Sequence, residues 1–201
     1  MKRTLIILIS ICVSLVCLGG CANEPTALKN VISPVNQSQE QKEIVDFLST
    51  TEYEILLFEY KTEEAYRGID IWVEVYKDGE LVEDPVGIKQ SLDEGKPLEG
   101  KVAVGISQNP KYQWTVIVGD NGAKSSQTGE SSLDVEDTLA RAYGPISDPV
   151  AIEDGKEIVL YTSIFSDDSI TAYSDQQEYV TNPEQLKGYP YVHIVKCKFT
   201  A

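Results

Sequence analysis

The fold of this chain is decided by residues 68–79, which read GIDIWVEVYKDG. Every second side chain is aliphatic, and these four share one face: Ile69, Ile71, Val73 and Val75. A period of two is the signature of a β-strand with one buried face, and we expect this strand from Arg67 to Lys77. The Asp78-Gly79 pair favours a two-residue hairpin turn, so the chain should return at once as a second strand.

The same signals recur further along the chain. Alternating runs occupy residues 101–107, 112–119 and 189–199, and Asn121-Gly122 and Asp154-Gly155 are further hairpin signals. Parallel strands would need long helical crossovers, and none is evident. The sequence therefore predicts an all-β antiparallel sandwich of the immunoglobulin-like class with about eight strands. A closed barrel is the alternative, and the Cys…Trp…Cys spacing of antibody domains is absent.

Little helix is expected. Ser38 and Gln41 fit a capping box, which predicts a short helix from Gln39 to Leu48. A second short helix is predicted after Asp134, ending at Gly144-Pro145, and a single helical turn over residues 182–188. Residues 85–100 contain several Pro and Gly and are expected to form a loop.

The amino-terminal segment indicates where the protein resides. Lys2 and Arg3 precede an apolar run from Leu5 to Leu18, which leads into Gly19-Gly20-Cys21. This arrangement resembles a bacterial lipobox. The resemblance implies that the Cys21 thiol carries a diacylglyceryl group and that cleavage occurs before it. We therefore expect a signal peptide over 1–20, a flexible tether over 21–37 and one domain over 38–201.

Such an anchor would attach the protein stably to a membrane. Two acyl chains give durable binding, whereas one chain gives only marginal binding. The apolar run is short for a span, which takes about 20 apolar residues. We therefore expect the domain on the extracytoplasmic face of the cell membrane, held by lipid at Cys21.

Charge and cysteine usage restrict the partners. The net charge is −15, which argues against binding nucleic acid or an anionic lipid face through a basic patch. Of the four cysteines, Cys12 and Cys17 lie in the predicted signal and Cys21 in the lipobox. Cys197 is left without an intramolecular partner, and its apolar strand predicts a small buried side chain.

One strand face is the best candidate for a ligand site. Trp72 and Tyr76 lie opposite the aliphatic side chains, beside Asp70 and Glu74. Aromatic rings flanked by carboxylates can stack on a sugar and accept its hydroxyl hydrogens, so this face predicts a glycan or peptide ligand. The competing interpretation is that a loop or helix covers both rings. Trp114 shares its face with aliphatic residues and is expected in the core.

Other candidates are weaker. The acidic loop with Asp167, Asp168 and Asp175 lacks the spacing of an EF-hand, so no metal is predicted. His193 is expected on a packed face, because no nucleophile or orienting carboxylate accompanies it in its strand. No nucleotide, zinc-protease or serine-hydrolase motif occurs, and no cofactor is predicted.

Two segments carry a further resemblance. Residues 66–76 and 189–199 are similar to small lipoproteins of Gram-positive anaerobes, a group without an assigned activity. The resemblance implies a type of host cell rather than a mechanism. Three hypotheses follow: a non-catalytic binding module for a glycan, peptide or protein, a cell-surface hydrolase using two carboxylates, or an accessory domain for a membrane protein. Converging acids in a pocket would favour the hydrolase, and an exposed apolar patch would favour the accessory domain.

Overall fold

Two antiparallel sheets form the molecule. The structure is a computed structural model and describes residues 29–50, 52–92, 96–108, 111–120, 123–136, 138–168, 170 and 176–201. Within them, sheet I has the order β10-β1-β2-β6-β7-β8, and sheet II has the order β4-β3-β12-β11-β9. Strand β5 pairs with the same edge of β3 as β4 does, further along it. Both sheets have open edges, so the prediction of a sandwich is confirmed.

The strands are numbered in the order in which they occur along the chain. Sheet I contains β1 (Val31–Pro34), β2 (Tyr53–Lys61), β6 (Glu99–Ser107), β7 (Gln113–Asp120), β8 (Ala123–Glu130) and β10 (Val150–Ala151). Sheet II contains β3 (Gly68–Lys77), β4 (Glu80–Glu83), β5 (Gly87–Ser91), β9 (Ala140–Pro145), β11 (Glu157–Ser166) and β12 (Tyr191–Thr200). The helices are α1 (Gln39–Leu48), α2 (Glu178–Thr181) and a 3₁₀ helix (Pro183–Gly188).

The main core lies between the sheets. Alternate side chains of each strand point inward, as the period of two predicted, and the four aliphatic residues of β3 are each at most 1 % exposed. The Phe199 ring of sheet II contacts Tyr60 of sheet I edge-on, with centroids 5.3 Å apart. Trp114 is fully buried in this core, as predicted.

A second apolar cluster lies on the outer face of sheet II. Strands β11 and β12 direct Val159, Ile164, Val192 and Ile194 away from the main core. Tyr179 of α2 and Leu186 of the 3₁₀ helix pack over them. This cover explains why β11 and β12 read as continuous apolar runs, because both of their faces are buried.

Two local signals, the capping box and the first hairpin turn, are confirmed. The Ser38 hydroxyl accepts from the Gln41 N–H at 3.3 Å, and the Gln41 side chain accepts from the Ser38 N–H at 2.9 Å, so the capping box starts α1. Asp78 and Gly79 have φ of 52° and 81°, the left-handed backbone that a two-residue turn between β3 and β4 requires.

The helix expected after Asp134 is wrong. Residues Ala140–Pro145 form β9, which pairs with β11 at six consecutive positions. Val135, Leu139 and Ala142 suggested a helical spacing, but so short a segment has too few turns to distinguish the two periods. The hydrogen bonds offered by the edge of β11 determine the outcome, and no local signal reports them.

Four further expectations change. The predicted tether contains β1, which pairs with β2 and with β10, and the predicted loop over 85–100 contains β5. Gly155 turns the chain with φ of 69°, yet β10 pairs with β1 rather than β11, so the third hairpin is wrong. The strands number twelve among the described residues, against about eight expected from sequence.

Gly100 has a packing role that yields a prediction. A Cβ at this position would meet the hydroxyl and ring of Tyr60, which is 2 % exposed. We expect Gly100→Ala to lower the free energy of unfolding by about 1–3 kcal/mol through overpacking. Urea denaturation measures this. Gly144→Ala is the matched control, because its Cβ would meet nothing within 4 Å. Equal effects of the two substitutions would contradict the packing role of Gly100.

Candidate functional site

The four residues predicted for a ligand face lie together on the outer face of sheet II. Asp70, Trp72, Glu74 and Tyr76 occupy alternate positions of β3, opposite its core-facing side chains. Strand β12 runs beside β3 and pairs Lys196 with Trp72 and Lys198 with Asp70. The two strands therefore bring aromatic, acidic and basic groups into one surface, called the Trp72 face below.

Glu74 is at the centre of this face. Its carboxylate accepts from the Trp72 indole N–H at 2.8 Å on one oxygen and from the Tyr76 hydroxyl at 2.6 Å on the other. The Lys196 ammonium lies 2.7 Å from the same oxygen as Tyr76. Glu74 and Lys196 are only 8 % and 5 % exposed, so this is a buried ion pair with neutral donors around it.

These contacts keep Glu74 ionised. Burial acts to raise its pKa, but the hydrogen bonds from Lys196, Trp72 and Tyr76, with the charge of Lys196, hold the pKa below its ordinary value. Both carboxylate oxygens already accept strong hydrogen bonds. Glu74 is therefore suited to fixing its neighbours in place and unsuited to accepting a proton from a substrate.

Trp72 gains a fixed orientation from this arrangement. Its indole N–H is committed to Glu74, and the Lys198 ammonium lies 5.8 Å from its ring centroid. The paired residue on β5 is Gly87, which has no side chain to cover the ring. Trp72 is half-buried, so part of a pre-oriented indole meets solvent.

Tyr76 lies at the covered end of the same face. Its ring packs against the apolar cluster beneath α2 and the 3₁₀ helix. Burial, and then the hydrogen bond to Glu74, raise the pKa of its hydroxyl far above the usual value, so it stays a donor. The competing interpretation, in which a loop or helix covers both rings, is therefore partly correct for Tyr76.

Opposite charges alternate around Trp72. Asp70 pairs with Lys89 at 3.3 Å, and Lys196 bridges Glu74 to Glu157 of β11, whose carboxylate lies 3.2 Å away. Glu74 and Glu157 therefore converge on one ammonium and do not frame a space for a substrate. The face offers an aromatic ring, acceptors and donors side by side, which is chemistry that can serve recognition of a ligand.

Sequence reasoning missed Lys196 and Glu157. The alternation of the last strand did place Lys196 on the face opposite His193 and Cys197. The available signal was a lysine that follows the apolar run of residues 191–195, because a buried lysine requires a partner. Which strand supplies that partner depends on a pairing across 122 positions of sequence, and periodicity carries no such information.

A second polar group lies inside the sandwich. His193 is 1 % exposed, and its ring lies 4.7 Å from Tyr112 and 5.1 Å from Trp114, centroid to centroid. Burial and then the charge of Arg141 lower the pKa of His193 to about 3, so it is neutral. The packed location was predicted, but its Nε2 has no hydrogen-bond partner among the described residues.

Arg141 lies beside the aromatic rings that surround His193. Its Nε donates to Ser163 at 2.7 Å, one Nη donates to Tyr161 at 2.6 Å, and Glu54 lies 3.8 Å away. Its guanidinium also lies 4.0 Å from the centroid of Tyr143. Arg141 thus ties the edge strand β9 to β11 and to β2 of the other sheet, a structural role.

Comparison with known families assigns the chain. Residues 31–199 match the sequence model of the YgaN domain. The chain belongs to the YgaN domain family. The match begins at β1 and ends in β12, so the YgaN domain includes both sheets and the whole Trp72 face. Neither the curated proteins nor the solved structures gave a match.

The remaining predicted residues fall at three places. Cys197 is fully buried in the core of the YgaN domain, as expected, and burial raises the pKa of its thiol. Asp167 and Asp168 follow β11, and no three metal-binding side chains gather anywhere in the part that the structure describes. Cys21 and Asp175 lie outside the described residues. No helix within those residues has the length and apolar character to cross a bilayer.

The buried pair makes a prediction about stability. Lys196→Met leaves the Glu74 carboxylate buried without a cation, which we expect to cost about 3–5 kcal/mol in guanidinium denaturation. Adding Glu74→Gln to the same chain removes the stranded charge and should restore most of the loss. Lys187→Met is the control, because its pair with Glu184 is more than half exposed and should contribute under about 1 kcal/mol. A double variant as unstable as the single one would refute the explanation.

Proposed function

We propose that this YgaN domain is a lipid-anchored, extracytoplasmic binding module and that it recognises a glycan through the Trp72 face. The attachment is the diacylglyceryl group predicted at Cys21. The ligand meets the exposed part of the Trp72 indole and the charges around it. The domain performs no chemistry on its ligand.

The anchor rests on the sequence. A basic start, an apolar run and Gly19-Gly20-Cys21 follow one another in the order that lipoprotein processing requires. Strand β1 begins at Val31, so nine residues separate it from Cys21. Such a segment reaches at most about 35 Å when extended, which would keep the sandwich close to the bilayer.

The non-catalytic assignment rests on Glu74. It is the most buried carboxylate of the Trp72 face, and both of its oxygens are already bonded by Trp72, Tyr76 and Lys196. A second carboxylate, Glu157, shares the same ammonium, and burial and then the charge of Glu74 raise the pKa of a third, Asp84. A glycosidase uses two carboxyl groups that are free to act on either side of the scissile bond, whereas Glu74 is held ionised and is bonded on both oxygens.

A glycan suits the face for two reasons. A sugar ring has an apolar side that stacks on an aromatic ring, and its hydroxyls both donate and accept. Trp72 supplies a ring whose orientation is fixed before binding, which lowers the entropic cost of recognition. Asp70 and Lys198 are paired across β3 and β12 and supply an acceptor and a donor, and the Lys198 ammonium lies over the Trp72 ring.

One observation favours a second candidate, an accessory domain for a membrane protein. Helix α1 buries none of its residues, and Ile44, Phe47 and Leu48 are 54 %, 87 % and 52 % exposed. An apolar stripe of this kind is an ordinary site for a protein partner. Phe47 therefore serves as the comparison residue in the binding experiment below.

Replacing Cys21 tests the anchor. We expect Cys21→Ser to move the protein from the membrane fraction to the soluble or secreted fraction and to abolish labelling with a palmitate analogue, because serine lacks the thiol that is acylated. Cys17→Ser is the matched control and should stay labelled and membrane-bound. Unchanged fractionation of the Cys21→Ser variant would rule out the lipid anchor.

Replacing Trp72 tests the ligand face. We expect Trp72→Ala to weaken binding to purified cell-wall polysaccharide at least about tenfold, since a stacked aromatic contributes about 1.4 kcal/mol or more. Sedimentation with the insoluble polymer measures this, and Trp72→Phe should retain part of the affinity. Phe47→Ala should bind like the unaltered chain. Equal affinity of Trp72→Ala and the unaltered chain for the polysaccharide would contradict the glycan site.

A further inference from the structure

Most open edges of the two sheets are short or blocked. Strand β10 has two residues, β4 has four and β5 has five. Strand β9 ends in Pro145, and the carbonyls of Gly144 and Pro145 accept hydrogen bonds from the Gln176 amide at 3.1 and 3.3 Å. Proteins use such devices because an open edge pairs readily with another strand.

Strand β8 is the exception. Its eight residues, Ala123–Glu130, pair with β7 without a bulge, and the opposite edge pairs with no other described strand. It contains no proline, and residues 124–128 are exposed. In the part of the chain that the structure describes, this edge presents a row of backbone N–H and C=O groups that pair with no other strand.

We infer that β8 pairs antiparallel with β8 of a second copy, joining two sheets I into one continuous sheet. The sequence of β8 is complementary to itself about Gln127. In that register Lys124 lies opposite the partner's Glu130, and Ser126 lies opposite the partner's Thr128. Each pair occurs twice because of the two-fold axis, and the edge forms roughly six to eight backbone hydrogen bonds.

The charges near the two ends of β8 favour a second copy of the chain as the partner of this edge. Lys124 and Glu130 are exposed, and neither forms an ion pair with any other described residue. A foreign peptide added to an edge is recognised through pockets for alternate side chains. Apart from Gly129, residues 124–130 have polar side chains, so end-to-end charge matching and hydroxyl pairs are the sources of specificity at this edge.

The association is weak in free solution. One pair of strand edges buries well under the roughly 1,200 Å² of a stable interface. Confinement raises the effective concentration of a weak pair, so the contact is best detected where the full chain accumulates, in the membranes of expressing cells. A disulfide crosslink between the two copies then makes the contact detectable.

The test places a cysteine on the two-fold axis. Directly opposed residues of antiparallel strands lie about 4.5–5.5 Å apart at Cα, within the range that a disulfide spans. We expect Gln127→Cys in the full chain to give a disulfide-linked homodimer on mild oxidation, read by non-reducing electrophoresis. Thr128→Cys should not, because two copies of position 128 lie roughly 8 Å apart in this register. The chain without an added cysteine gives the baseline.

Charge reversal supplies an independent readout on the Gln127→Cys chain. Lys124→Glu or Glu130→Lys alone sets like charges opposite one another and should lower the dimer yield about fivefold or more. The two together should restore it, and Lys42→Glu on α1 should leave it unchanged. Equal crosslinking at positions 127 and 128, no rescue by the double reversal, or a crosslink to a different protein would each overturn the inference.

Discussion

The pairing of β3 with β12 is the constraint on which the rest of the structure depends. The two strands pair at ten consecutive positions without a bulge. This register places Ile71 and Val73 in the core and at the same time places Lys196 beside Trp72 and within reach of Glu74. A slip of β3 by one residue would turn its aliphatic side chains outward and direct Glu74 into the core, away from Lys196. Core packing and the Trp72 face therefore specify the same register from opposite sides of one strand pair.

The sequence predicts most reliably what neighbouring residues decide. The faces of β3, the Asp78-Gly79 turn and the capped helix α1 depend on contacts a few positions apart, and all three are confirmed. The same strand periodicity brings Trp72, Glu74 and Tyr76 together, so the candidate site could be named in advance. Its cation could not, because Lys196 reaches Glu74 only through the pairing of distant strands. Segment β9 shows the same limit, since its partner β11 overrides a weak helical spacing.

The buried charges on the outer face of sheet II are paired with opposite charges, although the chain as a whole is acidic. The whole protein has a net charge of −15, yet acids and lysines alternate across the outer face of sheet II. Glu74 needs Lys196 because a carboxylate that is only 8 % exposed has lost most of its hydration. Once it is paired with Lys196, the Glu74 carboxylate also accepts hydrogen bonds from Trp72 and Tyr76. The buried Glu74 thereby fixes the orientation of both aromatic side chains, which a solvated glutamate would not do.

The two sheets divide the proposed roles between them. Sheet I contains β1, which follows the predicted anchor, and β8, the long open edge, whereas the Trp72 face belongs to sheet II. Pairing through β8 extends sheet I sideways and leaves the outer face of sheet II uncovered. Two copies joined in this way would offer two Trp72 faces to one polymeric ligand, and linked weak sites bind a repeating polymer more tightly than either site alone. A modest affinity at each indole would then be sufficient, which fits a half-exposed ring better than a deep pocket.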